Sequence, residues 1–340
     1  MDLQGKISGM KYLSDRMTAL RAKTRLTEVT KDGDSDAEGG PRNPEARQGP
    51  KGFEPPRVEI PIRDCSPDSS EISHFQTRGR FLARQDCWDE LSRIIAEADS
   101  SRSVTSGGTP VARLYAQGAH ADALESALAA VDRCDPTSAR RILYSLRDAI
   151  EGVETDPYLA IIAAQAHLAV ATAWDGRTGA PAPTPLRLDA RAQNLESAHR
   201  LVSRFDPLEH NSPALAALRC ALLDLQPRPS CRVADDYEDL IDLDPSCPDH
   251  LRALGRDMMP SRFGTWALLD HEARRTAGRT SDIWGAGGYS WVWMDVLAAD
   301  PEGFEHVDGE LFTEGLHDIL TRRPDQHMAN LLAAYCGLTL

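Results

Sequence analysis

Lysine is absent from most of this 340-residue sequence, since every lysine lies at or before Lys51 and all later cationic side chains are arginines. Reactions that need a lysine therefore have no place in the later part of the chain. They include phosphate binding by a Walker A loop, the strand lysine of protein kinases and Schiff-base chemistry. No other motif points to a cofactor or to catalytic residues, and we expect none.

Closely spaced cysteines and histidines are also lacking. The seven cysteines include no CxxC motif, and the ten histidines form no HxxxH or HExxH motif. Zinc sites need clustered thiolates or imidazoles, so these spacings predict no metal site. Scattered single cysteines are typical of small buried side chains in a reducing compartment, and we expect a cytoplasmic protein.

Long apolar runs and an excess of positive charge are missing as well. No run of about 18 apolar residues occurs, which predicts no membrane-spanning helix. Residues 1–78 hold 13 basic and 13 acidic residues, so the remainder of the chain carries the whole net charge of −14. Nucleic-acid affinity rests largely on cations that neutralise phosphates, and a body this acidic disfavours a nucleic-acid partner.

The N-terminal part has two distinct patterns. Over residues 2–22, apolar residues recur at helical spacing and basic residues flank them. This pattern predicts a short amphipathic helix that docks in a partner's groove or on a membrane surface, or else a marginal helix that frays in isolation. Residues 27–70 are rich in proline, glycine and charge, and we expect a disordered tail that extends to residue 78.

From residue 79 onward, helical segments follow one another with short breaks. Several begin with a capping residue followed by proline, as at Asp156-Pro157 and Ser212-Pro213. The strongly apolar segment 158–174 predicts a helix surrounded on most sides. Because the alternation typical of strands is nowhere sustained, the sequence predicts an all-α fold.

One segment, residues 112–136, has an aromatic residue, a central glycine, small residues in its second half and a closing Asp-Pro. These positions are Tyr115, Gly118, Ala123, Ala130 and Asp135-Pro136. The segment resembles a tetratricopeptide repeat, in which small residues let two helices pack closely. Gly118 is then expected to break the segment into two helices.

The resemblance implies an architecture for the rest of the body. It implies antiparallel helix pairs over residues 79–250, arranged as an α-solenoid or right-handed helical array. Residues 251–340 lie beyond the resemblance, and we expect them to form a C-terminal helical region packed on that array. Proteins of this kind are protein-interaction scaffolds, because stacked repeats present a concave surface.

Residues 261–299 are unusual because they hold four of the six tryptophans, a Gly-rich turn and several arginines. Such groups can bind an anion and stack on a planar ligand. A pocket here requires a later tryptophan ring to face solvent beside Arg274 or Arg275, and the alternative is a tight turn on an aromatic core. The candidate ligand or partner surface comprises Trp266, His271, Arg274, Arg275, Trp284, Gly287, Gly288, Tyr289, Trp291 and Trp293.

Two functions follow from these patterns. The repeat-like segment and the lack of catalytic motifs favour a scaffold or adaptor that binds a protein partner. The alternative is a small-ligand-binding protein or enzyme that uses the 261–299 region.

Overall fold

The computed structural model describes residues 67–175 and 184–339, and within these ranges the predicted all-helical fold is confirmed, with no strand. The amphipathic helix expected over residues 2–22 lies outside them. The α-helices are α1 (Pro67–Ala83), α2 (Trp88–Ser100), α3 (Val111–Asp132), α4 (Pro136–Ala149), α5 (Pro157–Asp175), α6 (Pro185–Val202), α7 (Pro213–Ala221), α8 (Val233–Leu243), α9 (Pro248–Asp257), α10 (Trp266–Arg279), α11 (Ser281–Trp284), α12 (Gly287–Ala299), α13 (Gly309–Arg322) and α14 (Gln326–Leu338). Single 3₁₀ turns lie at Leu223–Leu225, Pro229–Cys231 and Pro301–Glu305.

Local chemistry accounts for several helix starts. The Asp135 carboxylate accepts the N–H of Ser138 at the start of α4, and the Ser212 hydroxyl accepts the N–H of Leu215 at the start of α7. In both helices proline follows the cap, where its missing N–H costs no hydrogen bond. The helix starts predicted at Pro157 and Pro213 are therefore confirmed.

Helix α1 begins at Pro67, inside the range expected to be tail, so the expected tail boundary at residue 78 is wrong. The helix buries only Gly79 and Leu82, and it therefore carries a weak apolar signal in the sequence. Its first turn is held by the loop after α2. There the Asp68 carboxylate accepts the N–H of Gly107 at 2.8 Å and also the Thr105 hydroxyl.

Helix α3 runs unbroken from Val111 to Asp132, so the break expected at Gly118 is also wrong. A Cβ atom on Gly118 would lie 2.0 Å from the carbonyl oxygen of Gln76 on α1. A Cβ atom on Gly79 of α1 would lie 2.2 Å from the carbonyl oxygen of Tyr115 on α3. The two glycines therefore allow two helices to cross at backbone contact, where any larger residue would separate them.

The apolar core has two main parts that meet on α7. The N-terminal cluster is formed by buried side chains of α1, α2, α3, α5, α6 and α7, and the C-terminal cluster by those of α7 to α14. Leu215 and Leu218 of α7 belong to the first cluster, whereas Ala216 and Cys220 belong to the second. A third, smaller cluster joins the ends of α3 and α5 to α4 and α6.

Helix α5 lies in the middle of this packing, as its apolar sequence predicts. Among the described residues it is the one helix long and apolar enough, by length and composition, to cross a membrane. Of that apolar window, 61% is buried inside the protein. Its neighbours include α3 and α6, and burial on most sides is typical of a central core helix.

Candidate functional site

The tryptophans of residues 261–299 lie in the core. Trp284, Trp291 and Trp293 are each at most 1% exposed, and their rings belong to the C-terminal cluster. Trp266 is half-buried and stacks on His306 with ring centres 5.2 Å apart. The pocket expected here required one of the three later rings to face solvent, and this condition is not met.

The glycines of the same region serve packing. Gly287 and Gly288 open α12, and a Cβ atom on either would press on a neighbouring helix, 2.7 Å from Ile319 and 2.5 Å from Thr280 respectively. Gly285 has a φ of +60°, which suits the tight turn before α12. The alternative interpretation of this segment, a turn packed on an aromatic core, is therefore the one that the structure supports.

The polar residues predicted for the pocket are engaged with one another or exposed. Arg274 forms ion pairs of 2.9 Å with Asp270 and with Asp308, and Arg275 pairs with Glu238. The side chain of His271 is 71% exposed. The Arg274 guanidinium also lies over the ring of the buried Tyr289, 5.5 Å from its centre, so this arginine packs on the aromatic core. The structure therefore does not bring the predicted set together as a pocket.

The buried Tyr289 has a different role from the one expected. Its hydroxyl donates to Asp270 at 2.6 Å and accepts the backbone N–H of Asp308 at 2.9 Å. Burial, followed by the hydrogen bond to Asp270, raises the pKa of this phenol far above its usual range. Tyr289 therefore joins α10 to the start of α13 from its position on α12.

A cavity of about 930 Å³ lies elsewhere, between the two main clusters. Its walls come from α1, α2, α3 and α5 of the N-terminal half and from α7, α8 and α9. Cavities that hold small ligands or peptide side chains in proteins usually measure about 300–1,000 Å³. This cavity could not be predicted from the sequence, because its walls are contributed by segments far apart in the chain.

Three walls of this cavity carry buried polar atoms without a hydrogen-bond partner among the described residues. They are both ring nitrogens of His120 on α3, Oε1 of Gln165 on α5 and Nε2 of His250 on α9. His120 is 2% exposed, and burial lowers the pKa of its imidazole to about 4. Buried polar groups in folded proteins are nearly always paired, so these atoms retain unused hydrogen-bonding capacity next to the cavity.

The charges that line the cavity are balanced, although the chain as a whole is acidic. Five arginines and five carboxylates of the described residues contribute to the walls. Arg113 of α3 reaches Asp249 of α9 at 2.8 Å, and Arg102 donates to the carbonyl of Leu243 at 2.9 Å. These contacts join the two sides of the cavity, and the equal numbers of arginines and carboxylates leave the wall without a formal net charge.

A second feature lies in the wall between α8 and α9. Asp244 follows α8, Cys247 precedes α9, and His250 is in the first turn of α9. One carboxylate oxygen, the sulfur and one ring nitrogen of these three buried residues lie within 4.8 Å of one another. Thiol or imidazole pairs are absent here, so the usual zinc motifs do not identify these residues, although their spacing Asp-x₂-Cys-x₂-His is visible in the sequence.

No protein-family model, curated protein or solved structure matches the chain. Its function is therefore inferred from the cavity and its walls.

Proposed function

We propose that the protein is a helical scaffold that binds a short extended segment of a partner protein in the central cavity. A tetratricopeptide-like, solenoid arrangement of the helices around that cavity is part of the proposal. The observation that carries it is the cavity of about 930 Å³ whose walls present buried polar atoms without partners.

The chemistry of the walls supports a peptide as occupant. Gln76, Gln117 and Gln165 all line the cavity, and a side-chain carboxamide both donates and accepts, as a peptide group does. Gln76 donates to Gln117 at 3.1 Å, which holds these two amides at the α1–α3 side. Because the wall charges are balanced, we expect recognition of the peptide backbone and of apolar side chains rather than of a highly charged segment.

The small residues of the walls leave room for such a chain. Alanines on three different helices, Ala121, Ala169 and Ala217, line the cavity together with the leucines Leu124 and Leu168. Apolar lining with a few fixed polar groups is the usual composition of a binding cavity. The cytosol remains the proposed location, which the free buried thiols of Cys220 and Cys247 support.

Filling the cavity tests the proposal. A library of short peptides would be selected against the full chain, and the selected peptides measured against Ala169→Trp and Ala217→Trp, which place an indole inside the cavity. Ala129→Trp is the matched control, because Ala129 is an exposed residue of α3 that is not part of the cavity wall. We expect affinity to fall about tenfold or more in the two cavity variants and to stay unchanged in the control.

Two results would count against the proposal. Peptides that bind all three variants equally would place the binding surface elsewhere. A selection that yields no peptide, with a small polar compound that stabilises only the wild type and the control, would assign the cavity to a small ligand. Circular dichroism of each variant would establish that the helices are intact.

A further inference from the structure

The residues Asp244, Cys247 and His250 are brought together by one tight connection between two helices. Asp244 is the residue after α8, and Cys247 is the residue before Pro248, the first residue of α9. Two residues separate each member from the next. The N–H of His250 donates to the carbonyl of Cys247 at 3.2 Å, so the third member is fixed in the first turn of α9.

The three side chains present one potential metal ligand each. The carboxylate oxygen of Asp244 and Nε2 of His250 are 3.8 Å apart, and all three ligand atoms lie within 4.8 Å of one another. Zinc bonds of about 2.0–2.3 Å in a tetrahedron place neighbouring ligand atoms about 3.3–3.8 Å apart. The longest separation therefore has to shorten by about 1 Å, a change that side-chain rotation supplies.

Besides the distances between the ligand atoms, the burial of the three side chains is an independent observation that points to a metal. Asp244, Cys247 and His250 are 4%, 0% and 7% exposed, and Nε2 of His250 has no hydrogen-bond partner among the described residues. An imidazole nitrogen left buried and unpaired is costly, and a metal bond removes that cost. The distance of 3.8 Å to Asp244 is too long for a hydrogen bond to serve instead.

The surroundings hold the ligands in place. The Ser246 hydroxyl donates to the other carboxylate oxygen of Asp244 at 2.9 Å, which leaves the oxygen nearest His250 for another bond. The indole N–H of Trp284 donates to the carbonyl of Pro245 at 2.9 Å and anchors the connection from the core side. Outer contacts of this kind orient metal ligands in known sites.

From this geometry we propose that Asp244, Cys247 and His250 bind one zinc ion in the wall of the central cavity. A thiolate and an imidazole favour zinc over magnesium or calcium, which prefer oxygen ligands. Cys247 binds as the thiolate and releases its proton to solvent on metal binding. The doubly charged ion is then neutralised by one thiolate and one carboxylate, which limits the cost of burying it.

Three protein ligands leave one tetrahedral position open. Asp244 and His250 both belong to the cavity wall, so the proposed ion lies next to the cavity. Water or a donor atom of an occupant completes the coordination there, as in zinc sites that exchange their fourth ligand. Metal binding does not depend on the proposed peptide function, because all three protein ligands come from this chain.

Cobalt substitution tests the site on the full chain, after metal has been stripped with a chelator. One equivalent of Co²⁺ is expected to produce the visible bands of tetrahedral cobalt together with a near-ultraviolet thiolate-to-cobalt charge-transfer band. Zinc is expected to displace the cobalt and abolish both. In Cys247→Ser the charge-transfer band is expected to disappear and zinc affinity to fall about a hundredfold or more, and in His250→Gln affinity is expected to fall to a similar extent.

The matched control is Cys231→Ser, which removes an exposed thiol and should leave the bands and the stoichiometry unchanged. X-ray absorption of the zinc-loaded wild type provides a measurement that needs no variant, and it should find one sulfur among four ligands. The proposal is overturned if folded wild type gives no charge-transfer band, if the band survives in Cys247→Ser, or if zinc has only oxygen and nitrogen neighbours. Peptide binding can fail or succeed without altering any of these results.

Discussion

Asp99, near the end of α2, accepts a hydrogen bond from the hydroxyl of Ser212, which caps α7 and is 113 residues further along the chain. The same carboxylate accepts the N–H of Ala214 at 3.0 Å. The Ser212 oxygen in turn accepts the N–H of Leu215 at 3.2 Å. A buried carboxylate on one helix therefore completes the cap of another, and burial raises its pKa despite these hydrogen bonds.

Removal of this carboxylate is expected to loosen the start of α7. Asp99→Ala leaves the buried hydroxyl of Ser212 and the part-buried N–H of Ala214 without their acceptor, and a buried donor without a partner costs about 1–3 kcal/mol. We expect the free energy of unfolding to fall by that amount in denaturant titrations. Asp148→Ala, which removes an exposed carboxylate from α4, should change it by less than about 0.5 kcal/mol, and an equal loss in both variants would contradict the role of the cap.

Alanine at Gly118 is expected to destabilise the protein strongly. The added Cβ atom would lie 2.0 Å from the carbonyl oxygen of Gln76, so α1 would have to move away from α3. We expect a loss of about 3 kcal/mol or more in the free energy of unfolding, since the neighbouring atom is backbone and cannot turn aside.

Alanine at Gly278 of α10 is expected to stabilise the protein, in contrast to alanine at Gly118. A Cβ atom there meets nothing within 4 Å, so Gly278→Ala should gain about 0.5–1 kcal/mol from the lower entropy of the unfolded chain. Thermal unfolding of both variants checks the pair. A gain at Gly118 would mean that the helices do not cross where the structure places them.

Acid is expected to destabilise the protein partly through His120. Burial lowers the pKa of this imidazole from the ordinary 6.5 to about 4, so the unfolded chain binds a proton at a higher pH than the folded chain does. The contribution is therefore complete above pH 6.5 and is lost as pH falls towards 4. It amounts to about 3 kcal/mol over that window.

The variant His120→Leu should flatten this pH dependence, since leucine does not titrate. The free energy of unfolding would be measured by denaturant titration at several pH values between 7 and 4. His271→Gln is the matched control, because it removes an exposed imidazole from the surface. If His120→Leu keeps the acid slope of the wild type, the imidazole is hydrated in solution.

Tyr289→Phe is expected to weaken the junction of α10, α12 and α13. The hydroxyl donates to Asp270 and accepts from the backbone of Asp308, and both contacts disappear in the variant. The expected loss is about 1–2 kcal/mol in the free energy of unfolding. Tyr144→Phe is the control, because it removes the hydroxyl of an exposed tyrosine and should not change the free energy of unfolding. If the two variants have the same free energy of unfolding, the buried hydroxyl of Tyr289 contributes nothing to stability.

The helix starts could be predicted because their causes are local. A capping side chain and the proline after it, as at Ser212-Pro213, act within one turn. Gly118 was misread because its local meaning, a helix break, is overridden by a contact with Gln76 on another helix. Helix α1 was missed for a related reason, since it is held by contacts with α3, for example the ion pair of Arg80 with Glu125 at 3.1 Å.

The candidate site was beyond sequence reasoning for a different reason. His120 lies on α3 and Gln165 on α5, and both line the same cavity. Neither segment contains a local pattern from which this proximity could be predicted. The number of tryptophans in residues 261–299 suggests a pocket, but composition alone does not distinguish a pocket from an aromatic core. Only the triad of Asp244, Cys247 and His250 is contiguous enough to have been found from spacing.

Helix α7 has two faces in two different clusters, and this has a consequence for local opening. Leu215 and Leu218 pack in the N-terminal cluster, whereas Ala216 and Cys220 pack in the C-terminal cluster. If either cluster opens, the helix therefore loses the apolar contacts on one of its two faces. In native-state hydrogen exchange, the amides of this nine-residue helix should therefore exchange with the opening free energy of the less stable cluster. The protection of α7 thus reports which of the two clusters is less stable.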